Sequence, residues 1–277
     1  MSPRLGWSWR VHSYLHEDSF EGLLCAVSQA LLDGVDGCEF VTRDPGLLFG
    51  TVRVAADAKQ ASGLLDRLRA AGGGMAAHHV CQAYLADRPR AGEALLAYLR
   101  ATFSAGRNID GWTTNSAVRD VSERARLVGH ETHRFLGLLR FMELQDGTYY
   151  APFEPDHRIL LPVAQYFVKR LADQPWVIHD RKRRVALLWD RRTLQPAEFD
   201  PPGDPRDWVT SDERLWQDCW RTYTRHIAIG DRHNPRLQAQ FMPRRYWQFL
   251  PEMQEAEERG HSYQSTSRKL PAFRPTE

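Results

Sequence analysis

The chain has 277 residues, 42% of them hydrophobic and 26% charged, the balance of a globular protein with a sizeable core and not of a disordered or fibrous polymer. A formal net charge of +2 is too small to make the whole molecule a polyanion binder, so any basic surface must come from local clusters. Cys25, Cys38, Cys81 and Cys219 are scattered, with no C-x-x-C pair and no zinc-like Cys/His spacing, which leaves structural zinc and iron–sulfur centres without ligands. The first residues lack the apolar run of a signal peptide, and no stretch approaches the roughly 20 apolar residues of a membrane span. A reduced, soluble, cytoplasmic protein is therefore expected.

In chain order, "WSWRVHSYL" alternates and is aromatic-rich, so it reads as a first strand. Asp18 or Ser19 then caps a helix through Phe20, Leu23, Leu24, Val27 and Leu31, ending near Gly34. A helix is expected from about Asp57 to Ala71, where "GGG" breaks it, followed by two more over "MAAHHVCQAYLAD" and "AGEALLAYLRATF". Asn108 to Thr114 is a polar loop, and helix resumes from Ser116 to about Phe135. "LLRFMEL", "QDG" and "TYYAPFE" read as a hairpin, because Asp-Gly between aromatic and branched residues is a strong turn signal. A helix over Ile159 to Leu171 follows, and then a strand pair, "PWVIHD" and "RVALLWD", joined by the basic turn "RKRR". "DPPGDPRDWVTSD" has linker composition, and Glu213 to about Ile229 is an amphipathic helix through Leu215, Trp216, Cys219, Trp220, Tyr223 and Ile227.

These elements predict an α+β fold with a helical N-terminal third, a central antiparallel sheet in ββαββ order with packed helices, and a helical C-terminal region. The expected divisions are 1–115 mostly helical, 116–200 central α+β, 201–250 helical and packed on the core, and 251–277 a disordered tail.

Three segments carry chemistry. On a helix over "VGHETHRF", Val121, Ala125, Val128, Thr132 and Phe135 form an apolar stripe, while Arg126, His130, His133 and Arg134 gather beside it. Cations four residues apart repel by a few tenths of a kcal/mol, so an anion between them is favoured; a phosphate, a nucleic acid or the internal Glu131 could supply it. The same segment is also compatible with a solvated helix face or, with a third ligand from elsewhere, a metal at His130 and His133. In "WVIHDRKRR", His179 and Asp180 end a strand beside Arg181, Lys182, Arg183 and Arg184, an acid/base pair at a positive turn or simply a charged hairpin tip. "RHNPRLQAQFMPRRYWQFL" mixes Arg244 and Arg245 with Tyr246 and Trp247, which suits either single-strand binding or a docked C-terminus. No P-loop, G-x-G-x-x-G, G-x-S-x-G or H-E-x-x-H pattern is present, so P-loop hydrolysis, dinucleotide chemistry and the commoner hydrolase classes lack support.

"DSFEGLLCAV", "VGHETHRFLGLLRFMELQDGTYYAPFEPDHRILLPVAQYF", "DQPWVIHDRKRRVALLWD" and "NPRLQAQFMPRRYW", with the core E-x-H-R-F-x-G-x-x-R-F, resemble successive blocks of a bacterial family of DNA metabolism or repair proteins without an established mechanism. The likeness runs from about residue 13 to 250; "LLRF" departs from a glycine-containing run in many relatives. It implies a DNA-related role beside a neighbouring radical-SAM protein, and some relatives carry a fused uracil-DNA glycosylase domain. It assigns no catalytic residue.

The resulting expectation is a nucleic-acid-binding protein, most simply DNA-binding, that acts with a radical-SAM partner and not with a membrane. Arg126, His130, Arg134, Arg140, Arg181, Lys182, Arg183, Arg184, Arg244, Arg245 and Trp247 would form the nucleic-acid surface. Glu131, His133, His179 and Asp180 would be the acid/base groups if it is an enzyme. The alternatives are a non-enzymatic adaptor that docks the partner and a metal-dependent nuclease. An enzyme should gather the four acid/base groups around one pocket; an adaptor should disperse them and expose an aromatic patch. The sequence leaves any cofactor unknown.

Overall fold

Strand β1 (His12–Leu15) opens the computed structural model, which describes residues 12–35, 37–44, 46, 50–198, 207–229, 232, 234–254 and 274–275. Ser19 caps helix α1 (Phe20–Asp33) by accepting from the Gly22 N–H at 3.0 Å, and Gly34 closes it in the left-handed conformation at φ 65°. The chain returns to strand β2 (Cys38–Val41), and strand β3 (Thr51–Arg53) joins the other side of β1. Both pairings are parallel, and for β1 and β2 helix α1 is the crossover that this requires.

This small parallel sheet adds two strands, β2 and β3, that the reading of a mostly helical first third did not contain. Strands of four and three residues are too short to leave a period-2 signature that competes with the flanking helices. Helix α2 (Ala58–Leu85) contains Gly73 at φ 85°, ψ 172°, a region open essentially only to glycine, so two helical stretches meet at the expected "GGG" break. Helix α3 (Ala91–Ala105) follows. A Cβ at Gly92 would come within 2.3 Å of the Phe40 ring, so the glycine permits the close approach of α3 to β2.

The chain divides into two units, Met1–Gly129 and His130–Glu277, with the division inside helix α4 (Ser116–Leu138); the sequence-based division fell ahead of that helix, at residue 115. In the first unit Tyr14, Leu24, Leu68, Leu95, Leu99 and Val121 are core residues.

The second unit holds strands β4 (Met142–Glu143) and β5 (Tyr149–Phe153), helix α5 (Leu160–Arg170), and strands β6 (Trp176–Asp180), β7 (Val185–Trp189) and β8 (Leu194–Glu198). Gly147, at φ 80°, makes the expected β4–β5 turn, and the Thr148 N–H bonds the Asp146 carboxylate at 2.9 Å. The ββαββ order is present, and the fold is α+β. One pairing differs from the antiparallel expectation: β5 and β6 run parallel because α5 is the crossover between them. The sheet is therefore mixed, ordered β4-β5-β6-β7-β8-β9, where β9 is Arg274–Pro275.

Strand β8 was not among the expected elements; its Pro196 sits toward the sheet edge, where among the described residues the two-residue β9 pairs with β8. The "linker" is partly structural too: Trp208 and Val209 are buried beside Leu144, Tyr150 and Val177. Helix α6 (Ser211–Ile227), capped by Thr210, and helix α7 (Pro235–Phe241) precede 3-10 turns at Arg244–Phe249 and Pro251–Met253. Most of the tail expected to be disordered lies outside the described residues, as does most of the first strand reading before His12.

Candidate nucleic-acid interface

Helical geometry explains why Glu131 and His133 part company. Two residues on a helix are about 200° apart, so they cannot share a face. Val128, Glu131 and Phe135 lie on the buried face of α4, whereas His130 and His133 are exposed and Arg134 is half-buried. Glu131 is only 3% exposed, and its carboxylate accepts from the Asp156 N–H at 2.9 Å, the His157 N–H at 2.8 Å and the Tyr246 hydroxyl at 2.6 Å. Burial and then the adjacent Glu131 carboxylate push the Tyr246 phenol above its usual range, so it stays a donor. Phe135 packs against Phe153 and Tyr246, with ring centroids 5.0 and 4.6 Å apart.

His179 and Asp180 are neighbours on a strand and so point to opposite faces of the sheet. His179 is buried, with Nδ1 hydrogen-bonded to the Tyr150 hydroxyl at 2.8 Å. Asp180 is buried and receives the Arg183 guanidinium at 2.7 Å and the Arg183 backbone N–H at 3.1 Å. Burial raises the Asp180 carboxyl above its ordinary value, and Arg183 only partly offsets this. Arg183 also donates to the Pro155 and Asp156 carbonyls at 3.2 and 2.7 Å, and Lys182 reaches the Asp156 carbonyl at 3.4 Å.

Glu131, Tyr246, Arg183 and Asp180 thus converge on the turn at Pro155, Asp156 and His157 that launches α5. Arg245 joins them through the Asp156 carboxylate. These contacts anchor the turn within the second unit. The four proposed acid/base residues do not meet around one cavity. Among the described residues no three His, Cys, Asp or Glu side chains are grouped as metal ligands would be.

The arginines sort in the same way. Arg126 forms a two-pronged ion pair with Glu123, both bonds 2.9 Å. Arg140 pairs with Glu252 at 2.7 Å, donates to the Gly137 carbonyl and lies 5.7 Å from the Trp220 ring centre. Arg181, Arg184 and Arg244 are exposed and have no carboxylate partner among the described residues. Arg181 lies 6.0 Å from the Phe249 ring centre and Arg244 5.6 Å from that of Trp247, whose indole donates to the Met242 carbonyl at 2.9 Å.

Arg140 and Arg181 line a cleft of about 250 Å³ in the second unit, together with Phe141, Gln217, Gln248 and Phe249. The residues missed by sequence reasoning are the aromatic and amide ones. They come from the end of α4, from α6 and from the C-terminal 3-10 turns, and no spacing along the chain links those segments.

The turn, the anchors and most of the cleft fall in residues 89–252, which match the model of a domain of unknown function, DUF4130. The chain belongs to the DUF4130 family. The match covers more than half of the chain and includes α3, α4 and the second unit as far as Glu252. No curated protein matches the chain at a significant level. No helix among the described residues is long and apolar enough to cross a membrane.

Proposed function

We propose that this DUF4130 protein binds nucleic acid in DNA repair or DNA metabolism, in the cytoplasm and beside a radical-SAM partner, and that its C-terminal unit holds the strand. The observation that carries this reading is the cleft where exposed Arg181 meets the Phe249 ring, with Arg244 and Trp247 in the adjoining turn. Cations that neutralise phosphates and rings that stack on bases are the combination by which single strands are held without a fixed sequence. The likeness of the sequence blocks to DNA metabolism proteins is the second support.

The role assigned to each arginine follows from its partners. Arg181, Arg184 and Arg244 are the phosphate ligands; Arg140, Arg183 and Arg245 hold the protein together. Titrating labelled single-stranded and duplex oligonucleotides with the purified chain tests this. Single strands should bind more tightly, and Arg181→Glu with Arg244→Glu should weaken them by about tenfold or more at low salt. No binding to either form would overturn the reading.

A second reading, docking of the partner protein, is favoured by α6. Leu215, Trp216, Tyr223 and Ile227 are each more than half exposed on it. Purified radical-SAM protein should lose binding to Trp216→Ala with Tyr223→Ala; binding that both substitutions leave unchanged would remove α6 as its dock.

A further inference from the structure

We infer that the cleft beside Arg181 receives a single unpaired base of the bound strand, preferentially one with an exocyclic amine; this deepens the nucleic-acid reading and rests on it. At about 250 Å³ the cleft is smaller than the roughly 300 to 1,000 Å³ of sites for drug-sized ligands, so it suits one small planar group. Its walls have the required faces. Phe141 is braced edge-on by Phe167 and Trp176, at 5.0 and 6.2 Å between centroids. Phe249 lies beside the Arg181 guanidinium, so a base can stack on either flat surface.

The polar groups give the edge preference. Gln217 donates its amide N–H to Glu213 at 2.8 Å, Gln248 to Glu154 at 3.2 Å, and Gln254 to the Gln248 carbonyl at 2.9 Å. With each nitrogen held, the three side-chain carbonyl oxygens have no donor among the described residues and are left to accept. Exocyclic amines of cytosine and adenine are the donors that match. Glu252 neutralises Arg140, which leaves Arg181 as the cation of the cleft available to the flanking phosphate.

The test uses the full chain and fluorescently labelled strands of equal length: oligo(dC), oligo(dT) and a backbone lacking bases. Oligo(dC) should bind about tenfold more tightly than the abasic strand, within the range that base stacking contributes, with oligo(dT) between them. Phe249→Ala should erase the advantage of bases, so that oligo(dC) binds no more tightly than the abasic strand. Because that substitution could loosen the C-terminal turn, Gln217→Leu on α6 is the second variant, and it should remove the preference for oligo(dC) over oligo(dT). Equal binding of base-bearing and abasic strands would overturn the base site and leave the phosphate reading standing. Oligo(dT) binding as tightly as oligo(dC) would overturn the amine preference. No binding of any strand would overturn the nucleic-acid reading itself.

Discussion

Replacing Glu131 by Gln changes no volume but alters what three buried donors meet. The carboxylate takes the Asp156 N–H and the Tyr246 hydroxyl on one oxygen and the His157 N–H on the other. An amide has one acceptor oxygen and an NH2 group, so at least one donor must face another donor. A buried donor left unpaired costs about 1–3 kcal/mol, and the other two bonds lose their charge assistance, which brings the expected loss to about 2–4 kcal/mol. Tyr246→Phe removes a single bond and should cost about 1–2 kcal/mol; the double variant should lose less than the two single losses added, because both disrupt one network.

Urea unfolding followed by tryptophan fluorescence reads this, since Trp176 and Trp189 are buried in the second unit. With a slope of about 1–3 kcal/mol per molar, the midpoint of that unit's transition should fall by roughly 1 M or more. A wild-type midpoint in Glu131→Gln would refute the anchoring role and return Glu131 to the acid/base groups.

Arg183→Ala leaves Asp180 buried without its guanidinium and frees two carbonyls, so a loss of about 3–5 kcal/mol is expected in the same unfolding assay, whereas Arg181→Ala should change the midpoint little. In the first unit, burial acts to raise the Asp110 carboxyl, but hydrogen bonds from Tyr98, His79 and Asn108 outweigh it, and the net shift is downward. A lowered carboxyl gives stability that is present above its unfolded value, near pH 4, and is lost as pH falls through the folded value. The urea midpoint of the first unit should therefore drop on acidification, and Asp110→Asn should flatten that dependence. Gly73→Ala should destabilise the same unit by about 1–3 kcal/mol, because no L side chain tolerates its backbone angles without strain; a neutral effect in thermal unfolding would contradict the kink.

Local signals in the chain carried most of the second unit. Asp146-Gly147 marked a turn, the Leu160 to Phe167 spacing marked a helix, and both lie where expected. The parallel β5–β6 pairing was in principle readable as well, since a helix between two strands of one sheet brings the second back in the same direction. Strands β2 and β3 were not readable, because their pairing with β1 is a tertiary fact that three or four residues cannot announce.

Among the site residues, elementary periodicity already separates Glu131 from His133 and His179 from Asp180. What periodicity cannot supply is the partner. Nothing near Arg183 in sequence says that it serves the Pro155 and Asp156 carbonyls while Arg181, two residues earlier, faces a cleft. A run of like charges at a turn is thus divided by the fold into groups bonded within the protein and groups with no carboxylate partner among the described residues. Phe141 closes the E-x-H-R-F-x-G-x-x-R-F core and Phe249 lies near the end of the arginine- and aromatic-rich segment, but neither position, nor Gln217, announced the convergence of three segments that brings them together.

The measurement that bears most directly on the cleft as the nucleic-acid site is photocross-linking of an iodo-substituted cytosine strand to the full chain, with the attached peptides identified by mass spectrometry. Adducts on Phe141 or Phe249, lost with Arg181→Glu, are the expected result. Cross-links confined to the first unit, or none under conditions where the strand is bound, would contradict it.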